Sequence, residues 1–586
     1  MEGSIPRPEH PRPDRYREDW INLNGIWGFR FDDYLVGEDE KWYLDPESYI
    51  DRKILVPYPP ESELSGIGDP SPHRCAWYYR IFELPPRSGR VLLHFGAVDY
   101  ETKVWFNGVE LGSHRGGFSP FYYEITKLVE DQNILVVRAK DEMLDQPCGK
   151  QDPNPWPRGT KYTRVTGIWQ TVWIEYVGET FIEEFYLTPL LSEQKVRIEA
   201  VLNGEYHNLE LEIVISFTGF EIAKKTIELT SPRICLDVDI EYLRPWSPEE
   251  PNLYYVELVL LRGNEVVDKV TGYFGMREVG VSNREITLNG RPYYLIMALD
   301  QRYYPKGVYT APTDEDLRRD VEYAKRLGLN GIRCHQKPAD PRFLYWCDKI
   351  GLLVWEEMGD WGMSLRQENF EPFWNEWRTI VLRDYNHPSI IAWVPFNEKT
   401  PKTEEEKNFI VEIYRRTKRL DPTRLVVDNS GYYHTETDIV DIHDYTVWKG
   451  VENFKSKWKR VREVGDLSPL KEHVKVMANG FKYKDQPIVI SEFGGWGIKK
   501  YRPIIDRPPC YYGRILEDEY EFINKYRDVV LAIAEEPTIC GFCYTQLYDI
   551  EGEINGFLTY DRKWKIDPSE IFRIHQRVRE IVSKRL

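Results

Sequence analysis

From about residue 279 onwards, the chain alternates short apolar runs with amphipathic stretches, and this alternation limits the possible folds most. Eight of the runs are predicted strands, because aliphatic and β-branched residues dominate them. They are Tyr294–Leu299, Gly331–Cys334, Leu352–Glu356, Ile390–Phe396, Leu425–Val427, Ile439–Ile442, Pro487–Ser491 and Ile539–Thr545. Thr313–Gly328 has a Thr cap, an acidic first turn and a closing Gly, which are markers of a helix. Eight such β/α units predict a TIM barrel.

The residues before this region are predicted to form β-structure in two separate units. Up to residue 178, aromatic and β-branched runs alternate with turns, and Asn107-Gly108 between two runs is typical of a hairpin. The runs include Trp27–Phe31, Ala76–Phe82, Val91–Phe95, Lys103–Phe106, Ile134–Arg138 and Thr171–Tyr176. Between residues 179 and 278, segments such as Val196–Leu202 and Leu209–Ile215 alternate apolar and polar residues. This pattern predicts an immunoglobulin-like sandwich of about 100 residues.

The charge and hydropathy of the chain disfavour several classes of function. The formal net charge of −17 argues against nucleic acids and anionic membranes as partners. No run approaches the roughly 18 apolar residues that a membrane span needs. The first residues, Met1–Pro8, lack the apolar core of a signal peptide, so we expect a cytoplasmic protein.

Composition adds weaker indications. Aromatic residues make up 14% of the chain and suit the faces of sugar rings, although β-sheet cores use them as well. The eight Cys indicate no disulfide framework. Cys540 and Cys543 lie in a predicted strand rather than at a helix start, which disfavours a redox or metal role. Charged residues make up 30% of the chain, a share found in heat-adapted proteins.

The C-terminal ends of the predicted barrel strands carry a dense set of polar side chains. Active sites of TIM barrels lie at these ends. In chain order the ends present Asp300-Gln301, Arg333 to Gln336, Glu356-Glu357, Asn397-Glu398, His443-Asp444-Tyr445, Glu492 and Gln546. Several carboxylates with an Arg, a His and a Tyr, and without clustered Cys or a Gly-rich phosphate loop, fit the hydrolysis of a polar uncharged substrate.

Two of these carboxylates, Glu398 and Glu492, end the fourth and seventh strands and therefore face one another across the predicted barrel mouth. Glycoside hydrolysis needs one carboxylic acid to protonate the leaving oxygen and one carboxylate to attack or to activate water. A gap of about 5 Å gives retention of configuration, and about 6.5 to 9.5 Å gives inversion. A structural role for two strand-end Glu residues is the alternative at this point.

The segments around both carboxylates, Asn386–Glu398 and Pro487–Gly494, resemble the two signatures of glycoside hydrolase family 2. That family includes β-galactosidases, β-glucuronidases and β-mannosidases. Phe95–Gly112 and Gly167–Trp173 are similar to its sugar-binding-like jelly roll. The resemblance implies a β-sandwich jelly roll at residues 1–178, an immunoglobulin-like β-sandwich at 179–278 and a catalytic (β/α)8 TIM barrel at 279–586.

The resemblance also implies roles for individual residues. Glu398 would be the general acid/base, with a raised pKa in its protonated form, and Glu492 would be the nucleophile of a retaining reaction. Asn397 would bind the 2-OH of the sugar, and Tyr445 would donate a hydrogen bond to Glu492.

Arg333 would keep Glu492 ionised by its positive charge, with a structural ion pair to Glu356 or Glu357 as the alternative. Further candidate substrate contacts are Asp300, Gln336, His443, Trp448 and Trp496. For Asp300 and Gln336 the alternative is a buried hydrogen-bonding role in the barrel, and for either Trp it is plain packing.

One segment bears on the sugar. β-Glucuronidases present an Asn-x-Lys before a Gly-x-x-Thr-x-Asp-Arg-Lys stretch, to hold the sugar carboxylate. The stretch is present at Gly556–Lys563, but Glu553-Ile554-Asn555 ahead of it lacks the Lys. An acid in the first place would repel an anionic sugar. Arg302 or Lys337 could still supply the missing charge.

We therefore expect a retaining exo-β-glycosidase, with β-galactosidase as the preferred activity. β-Mannosidase, β-glucuronidase and α-L-arabinopyranosidase-like activity are the alternatives within the family, and a non-catalytic carbohydrate-binding protein is the alternative of another class. We expect no cofactor and no metal, although Glu357 matches a Mg²⁺ ligand of some β-galactosidases of the family. The expected partner is a glycoside or oligosaccharide, and the family often forms dimers or tetramers.

Overall fold

Eight parallel strands form the C-terminal barrel, and they follow one another around it in the order β5-β4-β3-β2-β1-β8-β7-β6. The computed structural model describes residues 5–470, 475–503 and 507–585, except the side chains of Trp448 and Lys449. The strands are β1 (Leu295–Asp300), β2 (Gly331–Cys334), β3 (Leu353–Glu357), β4 (Ile390–Val394), β5 (Leu425–Val426), β6 (Val440–His443), β7 (Ile488–Gly494) and β8 (Ile539–Thr545). The helices after them are α1 (Asp314–Arg326), α2 (Pro341–Ile350), α3 (Phe370–Arg383), α4 (Glu404–Leu420), α5 (Val451–Val464), α6 (Glu519–Glu535) and α7 (Pro568–Ser583). The predicted barrel is thus confirmed.

The alternation of apolar side chains explains how a strand such as β1 is buried on both faces. Leu295, Met297 and Leu299 point into the barrel, where they pack against residues of other strands. Ile296 and Ala298 point outwards and join the core between the strands and the helices. Successive residues of a strand face opposite sides, so a strand between two apolar layers needs apolar residues throughout.

The barrel closes between β5 and β6 through loop and side-chain hydrogen bonds. Asp438 Oδ2 accepts from Val426 N–H (2.9 Å), and Asp438 N–H donates to Val426 O (3.0 Å). Gly431 N–H donates to Asp441 Oδ1 (3.2 Å). The described residues 427–439 form no helix, so this β/α unit is shorter than the pattern predicts.

Two β-sandwiches precede the barrel, as predicted. The first has a six-stranded sheet of Arg52–Val56, Gly25–Phe31, Cys75–Phe82, Asn133–Lys140, Glu101–Phe106 and Val109–Arg115. Its other strands are Trp20–Asn22, Val172–Val177, Arg90–Phe95 and Phe121–Glu124, and the pair Val98–Asp99 and Gly167–Ile168. The second joins Phe181–Leu190, Lys195–Asn203 and Arg233–Asp239 in one sheet with Phe220–Glu228, Glu210–Phe217, Tyr254–Arg262 and Glu265–Phe274 in the other.

The two sandwiches have separate hydrophobic cores, and the chain passes from one to the other between Val177 and Phe181. A small sheet of Val279–Ser282, Glu285–Leu288 and Arg291–Pro292 then leads into β1. The positions of these elements agree with domain boundaries at 178/179 and 278/279, which stay a prediction. Among the described residues, no helix is both long and apolar enough to cross a membrane.

Candidate active site

Asn397 and Glu398 follow β4 at the barrel mouth, and hydrogen bonds to two other segments fix the backbone there. Asn397 N–H donates to Asp360 Oδ1 (3.1 Å), and Glu398 N–H donates to Ser430 O (3.0 Å). Glu398 has a φ of +57°, in the left-handed region that residues other than Gly rarely adopt. The turn leaves the Glu398 side chain 26% exposed while Asn397 stays buried.

Glu492 lies in β7, where the pairing with both neighbouring strands shifts in register. Its Oε1 accepts a hydrogen bond from Arg333 Nη1 (3.1 Å), and its Oε2 accepts one from Tyr445 Oη (2.6 Å). The structure therefore brings Arg333 and Tyr445 to Glu492 in the way that their expected roles require.

The two carboxylates are close together. One oxygen of Glu398, one oxygen of Glu492 and one ring nitrogen of His443 all lie within 4.8 Å of one another. A retaining glycosidase has carboxyl groups about 5 to 5.5 Å apart, and an inverting one needs about 6.5 Å or more to hold a water between them. The spacing of Glu398 and Glu492 fits the closer of these two arrangements.

Arg333, from β2, is fully buried and donates to oxygens of three side chains, and its Nη1 also lies 3.4 Å from Ser491 O and 3.3 Å from His443 Nε2. Besides Glu492, its Nε donates to Glu357 Oε2 (2.7 Å) and its Nη2 donates to Asn397 Oδ1 (2.6 Å). The expected contact with Glu492 and the alternative, a structural ion pair with Glu357, are therefore both present. One guanidinium can make both, because it has five N–H donors in a planar fork. The ion pair with Glu357 holds Arg333 in place. Its Nη1 and Nη2 then orient Glu492 and Asn397.

His443 bridges the two carboxylates and sets the charge of Glu398. Its Nδ1 is 2.7 Å from Glu398 Oε1, and its Nε2 is 3.4 Å from Glu492 Oε1. Burial alone would raise the pKa of Glu398, but the hydrogen bond and the charge of His443 lower it to about 2. Burial would lower the pKa of His443, and the charges of Glu492 and Glu398 raise it above its ordinary value. The lowered pKa of Glu398 in the unliganded site differs from the raised pKa that the family resemblance implies for it.

Asp300 and Gln336 are both buried. The side-chain amide of Gln336 makes all its hydrogen bonds to residues of the barrel. Gln336 Nε2 donates to Glu357 Oε1 (3.0 Å) and Asp360 Oδ1 (2.5 Å), and its Oε1 accepts from Trp361 N–H (3.0 Å). The hydrogen-bonding alternative therefore describes Gln336. Asp300 Oδ1 accepts from Arg302 N–H (2.9 Å), while its Oδ2 has no partner among the described residues.

Of the two predicted Trp contacts, Trp496 does not join this cluster. Trp496 is 1% exposed, and its ring lies in the hydrophobic core against Phe522 and Tyr544, with centroids 6.1 and 6.2 Å away. A ring covered in this way has no free face for a sugar. The Trp448 side chain lies outside the described part of the chain.

Four further residues lie at the mouth, and three of them, Tyr512, Lys150 and Tyr162, escaped the sequence analysis. Tyr512, from the loop after β7, stacks on Tyr445 with centroids 4.2 Å apart and planes 14° apart. Trp361 donates from Nε1 to Asn397 O (3.2 Å). Lys150 and Tyr162 come from the first β-sandwich, and Tyr162 Oη accepts from Gln301 Nε2 (2.7 Å). No sequence pattern pointed to Tyr512, Lys150 or Tyr162, because each reaches the site from a loop.

Asn555 stands at the position where β-glucuronidases carry their Lys, and it belongs to a network of buried, hydrogen-bonded side chains. Glu553 is completely buried and accepts hydrogen bonds from Tyr162 Oη and from Asn555 Nδ2, the latter at 2.8 Å. Asn555 Oδ1 accepts from Gln546 Nε2 (2.9 Å). Glu553 and Asn555 therefore offer an anionic group no positive charge.

Arg302 and Lys337, the two basic residues that could have replaced that Lys, are engaged elsewhere. Arg302 donates to the backbone carbonyls of Asp300 and Lys337. Lys337 Nζ donates to Arg302 O and Tyr309 O, both at 2.7 Å. Both Nη groups of Arg302 and the Nζ of Lys337 are therefore engaged by backbone carbonyls.

Glu398, His443 and Glu492 also form a group of possible metal ligands. The Arg333 guanidinium already lies against Glu492, and His443 against Glu398, so a metal ion would meet positive charge on both sides. Glu357 accepts from Arg333 and from Gln336 N–H (3.0 Å). The absence of a metal requirement stays a prediction.

Comparisons with known proteins agree with this fold. The model "Glycosyl hydrolases family 2, TIM barrel domain" matches residues 279–579, and "Glycosyl hydrolases family 2" matches 180–277. A β-glucuronidase from Rattus norvegicus is 25% identical over 85% of this chain and 80% of its own. A β-galactosidase from Thermoanaerobacter pseudethanolicus is 28% identical over 60% of this chain and 48% of its own. A solved structure, a β-glucuronidase from Ruminococcus gnavus in complex with D-glucuronic acid, superposes with a TM-score of 0.76 at 20% identity, over 96% of this chain and 98% of that one.

Some relatives are longer than this chain, which spans 65% and 34% of the length of two matching proteins from Formosa agariphila. The barrel match alone nevertheless extends over more than half of the 586 residues. The chain belongs to glycoside hydrolase family 2.

Proposed function

We propose that this chain is a retaining exo-β-glycosidase in which Glu492 is the nucleophile and Glu398 the general acid/base. The observation that carries the proposal is the spacing of at most 4.8 Å between an oxygen of Glu398 and an oxygen of Glu492. That gap is too short for the water that an inverting enzyme places between its carboxylates.

The reaction would take two steps. In the first, Glu492 forms a bond to the anomeric carbon while the bond from that carbon to the leaving oxygen breaks, and protonated Glu398 gives its proton to the leaving oxygen. In the second, Glu398 takes a proton from water, the water oxygen bonds to the anomeric carbon, and Glu492 is released. Two displacements at one carbon retain the configuration.

His443 supplies the proton that Glu398 lacks in the unliganded site. Its Nδ1 is 2.7 Å from Glu398, so a proton can pass from the imidazolium to the carboxylate as the leaving oxygen approaches. The proton taken from water in the second step returns by the same route.

Asn397 is placed to recognise the sugar. Its Oδ1 is held by Arg333, and its Nδ2 is buried without an acceptor in the described structure. An unsatisfied buried donor costs about 1 to 3 kcal/mol, which a sugar hydroxyl would recover on binding. The 2-OH is the expected acceptor, as the family resemblance implies.

For the sugar itself we place β-glucuronidase ahead of the β-galactosidase that the sequence favoured. The relative named β-glucuronidase aligns with 85% of this chain, and the relative named β-galactosidase with 60%. The segment Glu553–Asn555 argues the other way, because Asn555 takes the place of the cationic Lys and the buried Glu553 beside it is an acid.

The test is a panel of 4-nitrophenyl β-glycosides with the wild-type enzyme, Glu492→Ala and Glu398→Ala. We expect Glu492→Ala to lose about 10³-fold or more in kcat, because its loss removes the covalent step. Azide should restore turnover and give the α-glycosyl azide, since azide then attacks the face opposite the leaving group.

Glu398→Ala is the matched comparison. With an activated leaving group it still forms the glycosyl-enzyme, so azide should give the β-glycosyl azide. An α-anomer as the first product of the wild-type enzyme, or near-native activity of Glu492→Ala, would show that the assignment is wrong.

A further inference from the structure

We propose that Lys150, from the first β-sandwich, holds the carboxylate of a uronic acid in the catalytic pocket. The inference rests on the proposed glycosidase function and names the class of sugar. It makes Lys150 a specificity-determining residue that stands in for the missing Lys ahead of Gly556.

The backbone before Lys150 is fixed to the barrel. Cys148 N–H donates to Trp361 O (2.8 Å), and Gly149 N–H donates to Gly359 O (2.9 Å). Gly149 has a φ of +58°, and a Cβ there would lie 2.1 Å from Gln336 O. On the other side, Lys150 O accepts from Tyr162 N–H (2.8 Å). The loop therefore delivers Lys150 to the mouth at a fixed position.

The Lys150 side chain is buried, and its ammonium lies between two aromatic rings. Lys150 is 5% exposed, with its Nζ 5.0 Å from the centroid of Trp361 and 5.8 Å from that of Tyr162. Those rings border the site, since Trp361 donates to Asn397 O and Tyr162 to Glu553. The charge of Lys150 also contributes to lowering the pKa of Glu398, after the larger effects of burial and His443.

No ion pair or hydrogen bond satisfies this ammonium among the residues that the structure describes. Ring faces attract a cation, but they do not accept its three N–H bonds as oxygen does. A charge that loses most of its hydration without gaining a protein partner is costly, and a ligand that brings the opposite charge recovers that cost. An anionic group on the substrate is the partner that fits.

The other cations around the pocket are already paired. Arg333 serves Glu357 and Glu492, Lys399 Nζ is 3.1 Å from Asp360 Oδ2, and Arg507 pairs with Glu551. Together with the engaged Arg302 and Lys337, this leaves Lys150 as the free positive charge in the described part of the pocket. The uronate carboxylate is therefore expected to face the first domain.

The experiment compares the kcat/KM for 4-nitrophenyl β-D-glucuronide and β-D-galacturonide with that for the neutral β-D-glucoside and β-D-galactoside. The wild-type enzyme should prefer one of the uronides. Lys150→Met should lower the ratio of uronide to neutral kcat/KM by about 10²-fold, because a charge-assisted contact is lost. Lys150→Arg should recover part of the ratio. Arg158→Met, on the same loop but exposed, should leave the ratio unchanged.

Glucuronic acid and galacturonic acid should raise the melting temperature of the wild-type enzyme and not that of Lys150→Met, and Lys150→Gln serves instead if the Met variant does not fold. The proposal is overturned if Lys150→Met loses uronide and neutral activity equally, or if the wild-type enzyme prefers the neutral glycosides. Either result leaves azide rescue of Glu492→Ala intact, whereas failure of that rescue would count against the glycosidase mechanism itself.

Discussion

The hydrogen bond between His443 and Glu398 decides over which pH range the acid catalyst has a proton available. The pKa of His443 is raised above the ordinary histidine value of about 6.5. The imidazolium therefore keeps its proton to a higher pH than a free histidine does. In His443→Gln the proton must reside on Glu398 itself, whose pKa rises from about 2 once the imidazolium is gone. We expect the alkaline limb of the kcat profile to move to lower pH and kcat at pH 8 to fall about tenfold or more.

The measurement is kcat against pH for both enzymes with a saturating aryl glycoside. His73→Gln is the matched control, because His73 lies on the first domain and pairs with Asp33 and Asp69 there. An alkaline limb at the same pH in His443→Gln would mean that His443 does not carry the catalytic proton.

At the residue scale, the sequence identified side chains that end strands but could not tell which of them are covered. Glu398, Glu492, Arg333 and Tyr445 were found because a β/α repeat determines which positions face the barrel mouth. Trp496 also follows a strand, yet its ring packs against Phe522 of α6. That choice depends on long-range packing, which has no local signal in the sequence.

At the scale of elements, the loop from Gln146 to Tyr162 should tolerate a substitution at Gly159 but not one at Gly149. In Gly149→Ala the new Cβ would lie 2.1 Å from Gln336 O at a positive φ, so the loop must move and take Lys150 with it. We expect the ratio of uronide to neutral kcat/KM to fall by about tenfold or more, measured on the same glycoside pairs.

Gly159→Ala is the control for strain alone. Gly159 has a φ of +61°, but nothing lies within 4 Å of a Cβ there. It should cost about 1 kcal/mol or slightly more in unfolding free energy while keeping the ratio. Equal effects of both substitutions on the ratio would contradict the role given to the loop.

The ends of the barrel strands were predicted to within three residues, and the connection from β5 to β6 was not predicted. β8 spans Ile539–Thr545 as predicted, because its apolar run is long and ends at polar residues. The segment after β5 was expected to contain a helix, but buried polar contacts hold it instead. His434 Nδ1 is 2.7 Å from Asp428 Oδ1, and its Nε2 is 2.8 Å from Asp441 O. Such pairings form only in the folded barrel.

At the scale of the whole molecule, the pocket is complete only when the first domain is docked on the barrel. Glu376 of α3 is buried, and its Oε1 accepts from Phe118 N–H of the first domain (2.8 Å). On the same side, Thr310 Oγ1 donates to Trp169 O (2.6 Å). Neither contact touches the catalytic carboxylates, so the sequence offered no reason to connect them with catalysis.

Glu376→Ala should therefore loosen the docking and reveal its contribution. Removing the carboxylate leaves buried N–H groups of the first domain without an acceptor. Each unsatisfied group costs about 1 to 3 kcal/mol of stability. We expect calorimetry to show the first domain unfolding at a lower temperature than the barrel. The uronide preference should decrease more than turnover of neutral glycosides, because looser docking weakens the backbone contacts of Cys148 and Gly149 that hold Lys150 at the barrel, while Glu398 and Glu492 belong to the barrel itself. Glu371→Ala, on the same helix but exposed, should change neither property. A single unshifted transition with an unchanged preference in Glu376→Ala would show that the barrel holds the loop of Lys150 without help from this contact.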